Sequence, residues 1–231
     1  MNKKADFNFD VRKELGINVL RFNAYNYLAA YSVLKTLNIP ETSIFKGFRS
    51  FKIPKGRMEL IYDKEFKVII DFAHTPNSFK NIFEETITFK KAKKNRIIHV
   101  FGSAGLRDYF KRPLMGETSS KYSDIIILTE EDYRTEDPDK IVIDIVKGIR
   151  KNKFVYVKPS DLNMQSRKKY SIIINRASAI KKAISIANKD DIVIITGKSH
   201  ERSIARGKKE YPWNETKAAQ KAINSRKNEK T

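Results

Sequence analysis

The sequence predicts an α/β protein: a mostly parallel sheet with helices on both faces, preceded by a short helical segment. Three observations predict it. After Gly56, short β-branched runs alternate with longer amphipathic stretches of helical period. The clearest runs, Ile125–Leu128 and Ile192–Ile195, are continuously apolar, as strands buried on both faces must be. Before Pro54 only helical periodicity is present.

In chain order, residues 1–17 are polar and irregular, and Asn23–Leu37 then reads as a helix. Its apolar face consists of Tyr27, Leu28, Ala30, Tyr31, Val33 and Leu34, and Pro40 follows its end. Glu41–Phe51 is a second short helix with Ile44, Phe45 and Phe48 at helical spacing, and Ile53-Pro54-Lys55-Gly56 marks a boundary. Residues 1–54 are therefore a helical segment too small to stand as a domain, and 55–231 a domain. Within the domain, strands are expected at Met58–Tyr62, Lys67–Phe72, Arg96–Phe101, Asp124–Leu128, Phe154–Val157, Ser171–Ile174 and Asp191–Ile195. Helices are expected at Pro76–Phe89, Arg112–Tyr122, Pro138–Ile149, Arg176–Asn188 and Glu215–Ser225, two of them opening on a proline suited to the first turn.

Composition narrows the chemistry. The 231 residues contain no cysteine, so disulfides, thiolate zinc sites and cysteine nucleophiles are excluded. With His74, His99 and His200 as the only histidines, a multi-histidine metal site is not expected. Lys and Arg exceed Asp and Glu to give a net charge of +20, which suits a phosphate-rich partner, yet the lysines are spread along the chain rather than gathered in one block with aromatics. No apolar stretch reaches the roughly 20 residues of a membrane helix, and Met1–Asp10 is too polar for a secretory signal, so a cytoplasmic location is expected.

Ligands of parallel sheets bind beyond the carboxyl ends of the strands, which directs attention to four polar loops. These are Asp71–Pro76, Phe101–Asp108, Thr129–Arg134 and Thr196–Glu201. Gly102, Gly105 and Gly197 allow close backbone approach, while Arg107, Lys111, Arg112 and Arg134 supply charge-assisted donors, so an anionic small molecule is expected there. Gly197-Lys198-Ser199 has the residue order of a phosphate-cradling P-loop but not its spacing, because Ile192 stands where the first glycine is needed.

Six segments occur in order: Phe22-Asn23-Ala24-Tyr25-Asn26 with Leu28-Ala29-Ala30, Gly56-Arg57-Met58-Glu59, Asp71-Phe72-Ala73-His74-Thr75-Pro76, Gly105-Leu106-Arg107-Asp108 with Lys111-Arg112-Pro113-Leu114-Met115-Gly116, Arg134 with Glu136-Asp137-Pro138, and Gly197-Lys198-Ser199-His200-Glu201. Together they resemble the C-terminal part of the Mur ligase family, of the UDP-N-acetylmuramyl-tripeptide synthetase type. The resemblance implies a Rossmann-like domain and ATP-dependent amide ligation in peptidoglycan precursor synthesis. In that reaction a muramyl-dipeptide carboxylate is activated as an acyl phosphate and attacked by the amine of the third residue, meso-diaminopimelate or lysine.

It further implies that Asn23, Asn26, Arg57, Asp71, His74, Lys111 and Arg112 face ATP, and that Arg107, Asp132, Arg134, Gly197 and Glu201 face the amino acid. Residues 1–54 would be the helical tail of the family's central ATPase domain. The P-loop, most Mg²⁺ contacts and the uridine-nucleotide domain have no counterpart in this sequence, so no catalytic residue is assigned and the chain alone is not expected to turn over. A separate chain carrying those parts is one expected partner; a basic module binding a polyanion, or an inactive relic, are the alternatives. The sequence departs from the family at Glu131-Asp132-Tyr133-Arg134, where D-N-P-R is usual, at Ala104-Gly105-Leu106-Arg107-Asp108 for G-G-D-R-D, and at Ser199 for the second glycine of G-K-G-H-E. Arg134 favours diaminopimelate and Asp132 an amine, which leaves the choice between the two amino acids open.

Overall fold

The computed structural model describes residues 21–92, 94–164 and 168–228, the side chains of residues 21 and 22 excepted. The polar stretch 1–17 lies outside them. The chain divides after Pro54 into two compact units. In the first, α1 (Arg21–Thr36) and α2 (Glu41–Ser50) bury Tyr27, Tyr31, Ile44 and Phe48 against one another. Tyr27 meets Phe48 edge-on with ring centroids 5.0 Å apart, and the Tyr31 hydroxyl donates to Glu41 at the start of α2. The apolar face read from the sequence is wider than the face that is covered. Leu28, Ala30 and Val33 are exposed, because α2 flanks only one side of α1.

The second unit is built on a seven-stranded sheet of β1 (Glu59–Asp63), β2 (Lys67–Asp71), β3 (Ile97–Phe101), β4 (Ile125–Leu128), β5 (Val155–Tyr156), β6 (Lys169–Ile172) and β7 (Ile192–Thr196). Its order is β1-β2-β7-β3-β4-β6-β5, and β1 alone runs antiparallel to its neighbour. All seven expected strands are present, within two residues at each start. The last of them in sequence, β7, lies between β2 and β3. Asp71 stands opposite Thr196, Ile195 opposite Val100, and Phe101 opposite Leu128, so β2, β7, β3 and β4 end level at one edge.

Alternate residues of the strands feed two cores. Val68, Ile70, Ile98, Val100, Val193 and Ile195 face α6 (Arg176–Ile186) and α7 (Glu215–Asn228). Ile69, Ile97, Phe101, Ile126, Ile192 and Ile194 face α3 (Pro76–Ile87), α4 (Lys111–Tyr122) and α5 (Pro138–Ile149). Burying each such side chain contributes roughly 1.5–3 kcal/mol relative to leaving it exposed. Helix starts follow their caps: the Thr75 hydroxyl accepts from Ser78 N while Ser78 Oγ accepts from Thr75 N, and Asp137 and Asn175 cap α5 and α6. A two-stranded hairpin of β8 (Ser203–Arg206) and β9 (Lys209–Pro212) was not legible in the sequence. Among the described residues no helix is long and apolar enough to cross a membrane.

One histidine serves the core. His99 on β3 is fully buried among Phe79, Phe83 and Phe101, with Nδ1 2.8 Å from Ser119 Oγ and Nε2 3.0 Å from Thr196 Oγ1. Burial, with the nearby Arg176, pushes its pKa down to about 3, so the ring stays neutral in the folded protein. The unfolded chain binds a proton near pH 6.5 that the folded chain refuses. This contribution to stability is therefore complete above pH 6.5 and is lost as the pH falls towards 3, by about 1.4 kcal/mol per pH unit. Denaturant unfolding between pH 7 and 4.5 is expected to show that slope added to the carboxylate background, and His99→Gln to remove it. Equal slopes in both proteins would contradict a neutral buried ring.

Candidate functional site

The four loops leave the level edge side by side, in the spatial order β2, β7, β3, β4. In the loop after β2, the Asp71 carboxylate accepts from Met58 N and Ala73 N, each at 2.7 Å. Burial pushes its carboxyl up, and those two donors together with Arg57 work against the shift. Asp71 thus shapes the loop from within. His74 Nδ1 donates to the Phe72 carbonyl at 2.9 Å. Arg57 is exposed, its guanidinium 4.9 Å from the Phe72 ring centroid, and the rings of His74 and His200 lie 5.0 and 4.8 Å from the same ring.

In the segment after β3, the adjacent cations Lys111 and Arg112 have different surroundings. Lys111 Nζ donates to the His74 carbonyl at 2.9 Å and ties this segment to the β2 loop. Arg112 turns inward and is 1% exposed. Its guanidinium forms a two-pronged pair with Glu136 at 2.7 and 2.8 Å and also reaches Asp144 and the Ala104 carbonyl, each at 3.3 Å. Arg112 holds the Glu136 carboxyl below its usual range, and Glu136 in turn accepts from Leu106 N at 2.7 Å. The sequence places Arg112 on the ligand side; the fold uses its donors to brace the loop. Arg107, on the exposed limb of that loop, pairs with no acid among the described residues.

The loop after β4 carries three consecutive acids with three different surroundings. Glu130 accepts from Arg176 N at 3.1 Å and pairs with Arg206 of the hairpin. Glu131 is buried, and its Oε2 has no hydrogen-bond donor among the described residues. Burial pushes its carboxyl up, against the opposing pull of Arg176, Lys111, His74 and Lys198. Asp132 Oδ1 accepts from Ala205 N at 2.9 Å and from Lys198 Nζ at 2.7 Å. Arg134 adopts φ +53°, unusual for a residue with a side chain, and the hairpin holds it there: Arg134 N donates to Ala205 O, and Gly207 N to Arg134 O. Its guanidinium donates to the Gly105 carbonyl at 3.0 Å and the Asp132 carbonyl at 3.2 Å.

After β7 the backbone turns at Gly197, where φ is +109° and any Cβ would lie 2.7 Å from Glu131 Oε2. Only glycine meets both conditions. Lys198 is 1% exposed, and its ammonium lies 2.7 Å from Asp132 and 2.5 Å from Glu201. Ser199 Oγ donates to Gly56 O at 2.6 Å, closing the cluster against the residues around Arg57.

The fold thus brings together Asp71, His74 and Lys111 on one side and Asp132, Arg134, Gly197 and Glu201 on the other, with Glu131 between them. Asn23 and Asn26 belong to the helical unit, where Asn26 Nδ2 donates to Asn23 Oδ1 at 3.1 Å. Sequence reasoning missed Glu131 and Lys198 as functional candidates. The three-residue spacing of Lys198 and Glu201 was the available signal for the second. Among the described residues no group of three or more His, Asp or Glu side chains could hold a metal ion, so no Mg²⁺ ligand is assigned.

The chain has relatives among known proteins. Residues 56–199 match the family model described as Mur ligase, glutamate ligase domain. The chain is 39% identical over 203 residues to the UDP-N-acetylmuramoyl-L-alanyl-D-glutamate--2,6-diaminopimelate ligase of Clostridioides difficile, covering 87% of this chain and 38% of that protein. It is 41% identical over 204 residues to the UDP-N-acetylmuramyl-tripeptide synthetase of Borreliella burgdorferi, covering 87% and 37%. A solved structure of a UDP-N-acetylmuramoyl-L-alanyl-D-glutamate--2,6-diaminopimelate ligase superposes with a TM-score of 0.63 at 27% identity, over 91% of this chain and 40% of that one. The UDP-N-acetylmuramate-alanine ligase of Thermotoga maritima, at 14% identity and a TM-score of 0.57 over 93% and 39%, shares the fold. The chain spans less than half the length of each of these relatives, and it belongs to the Mur ligase family.

Proposed function

We propose that the chain supplies the amino-acid-binding domain, and part of the nucleotide contacts, of an ATP-dependent ligase that adds meso-diaminopimelate or lysine to UDP-N-acetylmuramyl-dipeptide in the cytoplasm. The observation that carries this reading is the level edge. There Lys111, bound to the His74 carbonyl, and exposed Arg57 form a cationic side suited to nucleotide phosphates, beside Asp132, Arg134, Gly197 and Glu201. ATP supplies the phosphoryl group that activates the acceptor carboxylate. The P-loop that would cradle it lies outside this sequence, and residues 1–54 are read as the tail of the ATPase domain that carries it. What these residues do is positional. Asp71 and Arg112 hold the loops in shape, Arg57 and Lys111 offer cations, and Arg107, Arg134 and Glu201 hold the amino acid so that its amine faces the activated carboxyl, an entropic contribution of several kcal/mol in well-oriented reactions.

Diaminopimelate ends in an amine and a carboxylate, lysine in an amine alone, so the two differ in their need for Arg134. Competitive titration of the chain with both amino acids is expected to show meso-diaminopimelate preferred, and Arg134→Ala to lower that preference at least roughly tenfold, about 1.4 kcal/mol. A wild-type preference for lysine, or equal weakening of both, would remove Arg134 from the pocket.

A further inference from the structure

Asp132 and Glu201 are the two carboxylates of the proposed pocket suited to a substrate ammonium, and the fold places an ammonium of its own between them. Lys198 Nζ lies 2.7 Å from Asp132 Oδ1 and 2.5 Å from Glu201 Oε2, and the Asp132 oxygen also accepts from Ala205 N. The lysine is fixed at both ends. Its backbone follows Gly197, whose N donates to Asp71 O, and its carbonyl accepts from Glu201 N at 2.8 Å in a turn. Its side chain is 1% exposed, whereas those of Asp132 and Glu201 are 18% and 38% exposed. The carboxylates therefore face outward with part of their acceptor capacity already taken from behind.

We propose that Lys198 is a specificity-determining residue. Its ammonium offsets Asp132 and Glu201, so that Arg107 and Arg134 set the charge an incoming amino acid meets, and a side chain bearing a second carboxylate is favoured over one ending in an amine alone. The proposal rests on the amino-acid-pocket reading above. Glu131, whose Oε2 would lie 2.7 Å from a Cβ at Gly197, does not restore the balance: it is buried, and burial pushes it towards its neutral form against the pull of Arg176, Lys111, His74 and Lys198. An internal counter-ion of this kind acts by rejection, lowering affinity for the wrong ligand as much as raising it for the right one.

The test is the ratio of dissociation constants for L-lysine and meso-diaminopimelate, measured by calorimetry on the full chain and its variants. Wild type is expected to favour meso-diaminopimelate. Lys198→Met, which keeps the stem and removes the charge, is expected to shift the ratio towards L-lysine at least roughly tenfold, and Lys198→Arg to stay within about threefold of wild type. Asp132→Asn, which leaves the ammonium less compensated, is expected to shift the ratio the other way. An unchanged ratio in Asp132→Asn overturns the proposal even if Lys198→Met fails to fold. A wild-type chain that binds neither amino acid overturns the pocket reading and this proposal with it. A selective wild-type chain whose ratio stays within about twofold in Asp132→Asn, or in folded Lys198→Met, overturns this proposal alone.

Discussion

Replacing Glu215 by alanine is expected to destabilise the domain by about 3–5 kcal/mol, because it leaves a buried guanidinium without its counter-ion. Arg176 and Glu215 are both fully buried. Arg176 Nε donates to Glu215 Oε2 at 2.9 Å, and the same carboxylate accepts from Trp213 Nε1 at 2.8 Å. The remaining donors of Arg176 go to the carbonyls of Thr196 at 2.7 Å and Glu130 at 3.1 Å, at the ends of β7 and β4. One ion pair therefore holds α6 and α7 to the edge that carries the candidate site. Chemical denaturation monitored through Trp213 measures the loss. Replacing both partners with apolar residues, Arg176→Met with Glu215→Leu, is expected to recover much of it, since an empty place in an apolar cluster is less costly than an unpaired buried charge. A single variant within about 1 kcal/mol of wild type would mean that water reaches the guanidinium in the folded state.

A comparable loss, about 3 kcal/mol, is expected from adding one methyl group at Gly148. Here α4 and α5 touch backbone to backbone. A Cβ at Gly148 would lie 1.7 Å from Pro113 O and 2.6 Å from Glu117 N, and one at Gly116 would lie 2.1 Å from Ile145 O. Neither obstacle is the movable end of a side chain, so the helices must separate and give up contacts along their whole seam. Gly148→Ala is expected to lower the unfolding midpoint at unchanged denaturant dependence. The double variant with Gly116→Ala is expected to cost less than the sum of the two, because helices already spread for one methyl accommodate the second. Strict additivity would mean that each site relaxes locally and that the seam does not open.

What was legible in the sequence follows from how strongly burial marks it. The Ile and Val runs of β2, β3, β4 and β7 are apolar on both faces, so their positions stood out, and Thr75-Pro76 and Asp137-Pro138 announced helix starts. The start of β6 was set two residues late, because Lys169 opens it with a charge; that lysine is buried and its ammonium donates to the Met164 carbonyl. The β8–β9 hairpin escaped because every residue of β9 is exposed and leaves no apolar pattern to read. For the site, the sequence located all four loops but not the partner of each charge. Whether Arg112 meets a ligand or Glu136, and whether Asp132 meets a ligand or Lys198, depends on residues 24 and 66 positions away. Only the folded sheet brings them together.

The place of β7 between β2 and β3 also governs the order in which this chain can assemble. Those two strands have no direct pairing, and each meets the other only through residues 192–196. During synthesis from the amino end, the β1–β2 pair and the β3–β4 group emerge with apolar parallel edges open, and remain so until β7 leaves the ribosome. Pairings between such distant segments form slowly, and an open apolar edge is available to other chains in the meantime. A nascent chain halted before Ile192 thus holds two half-sheets with no seam to join them until the segment that also carries Lys198 arrives.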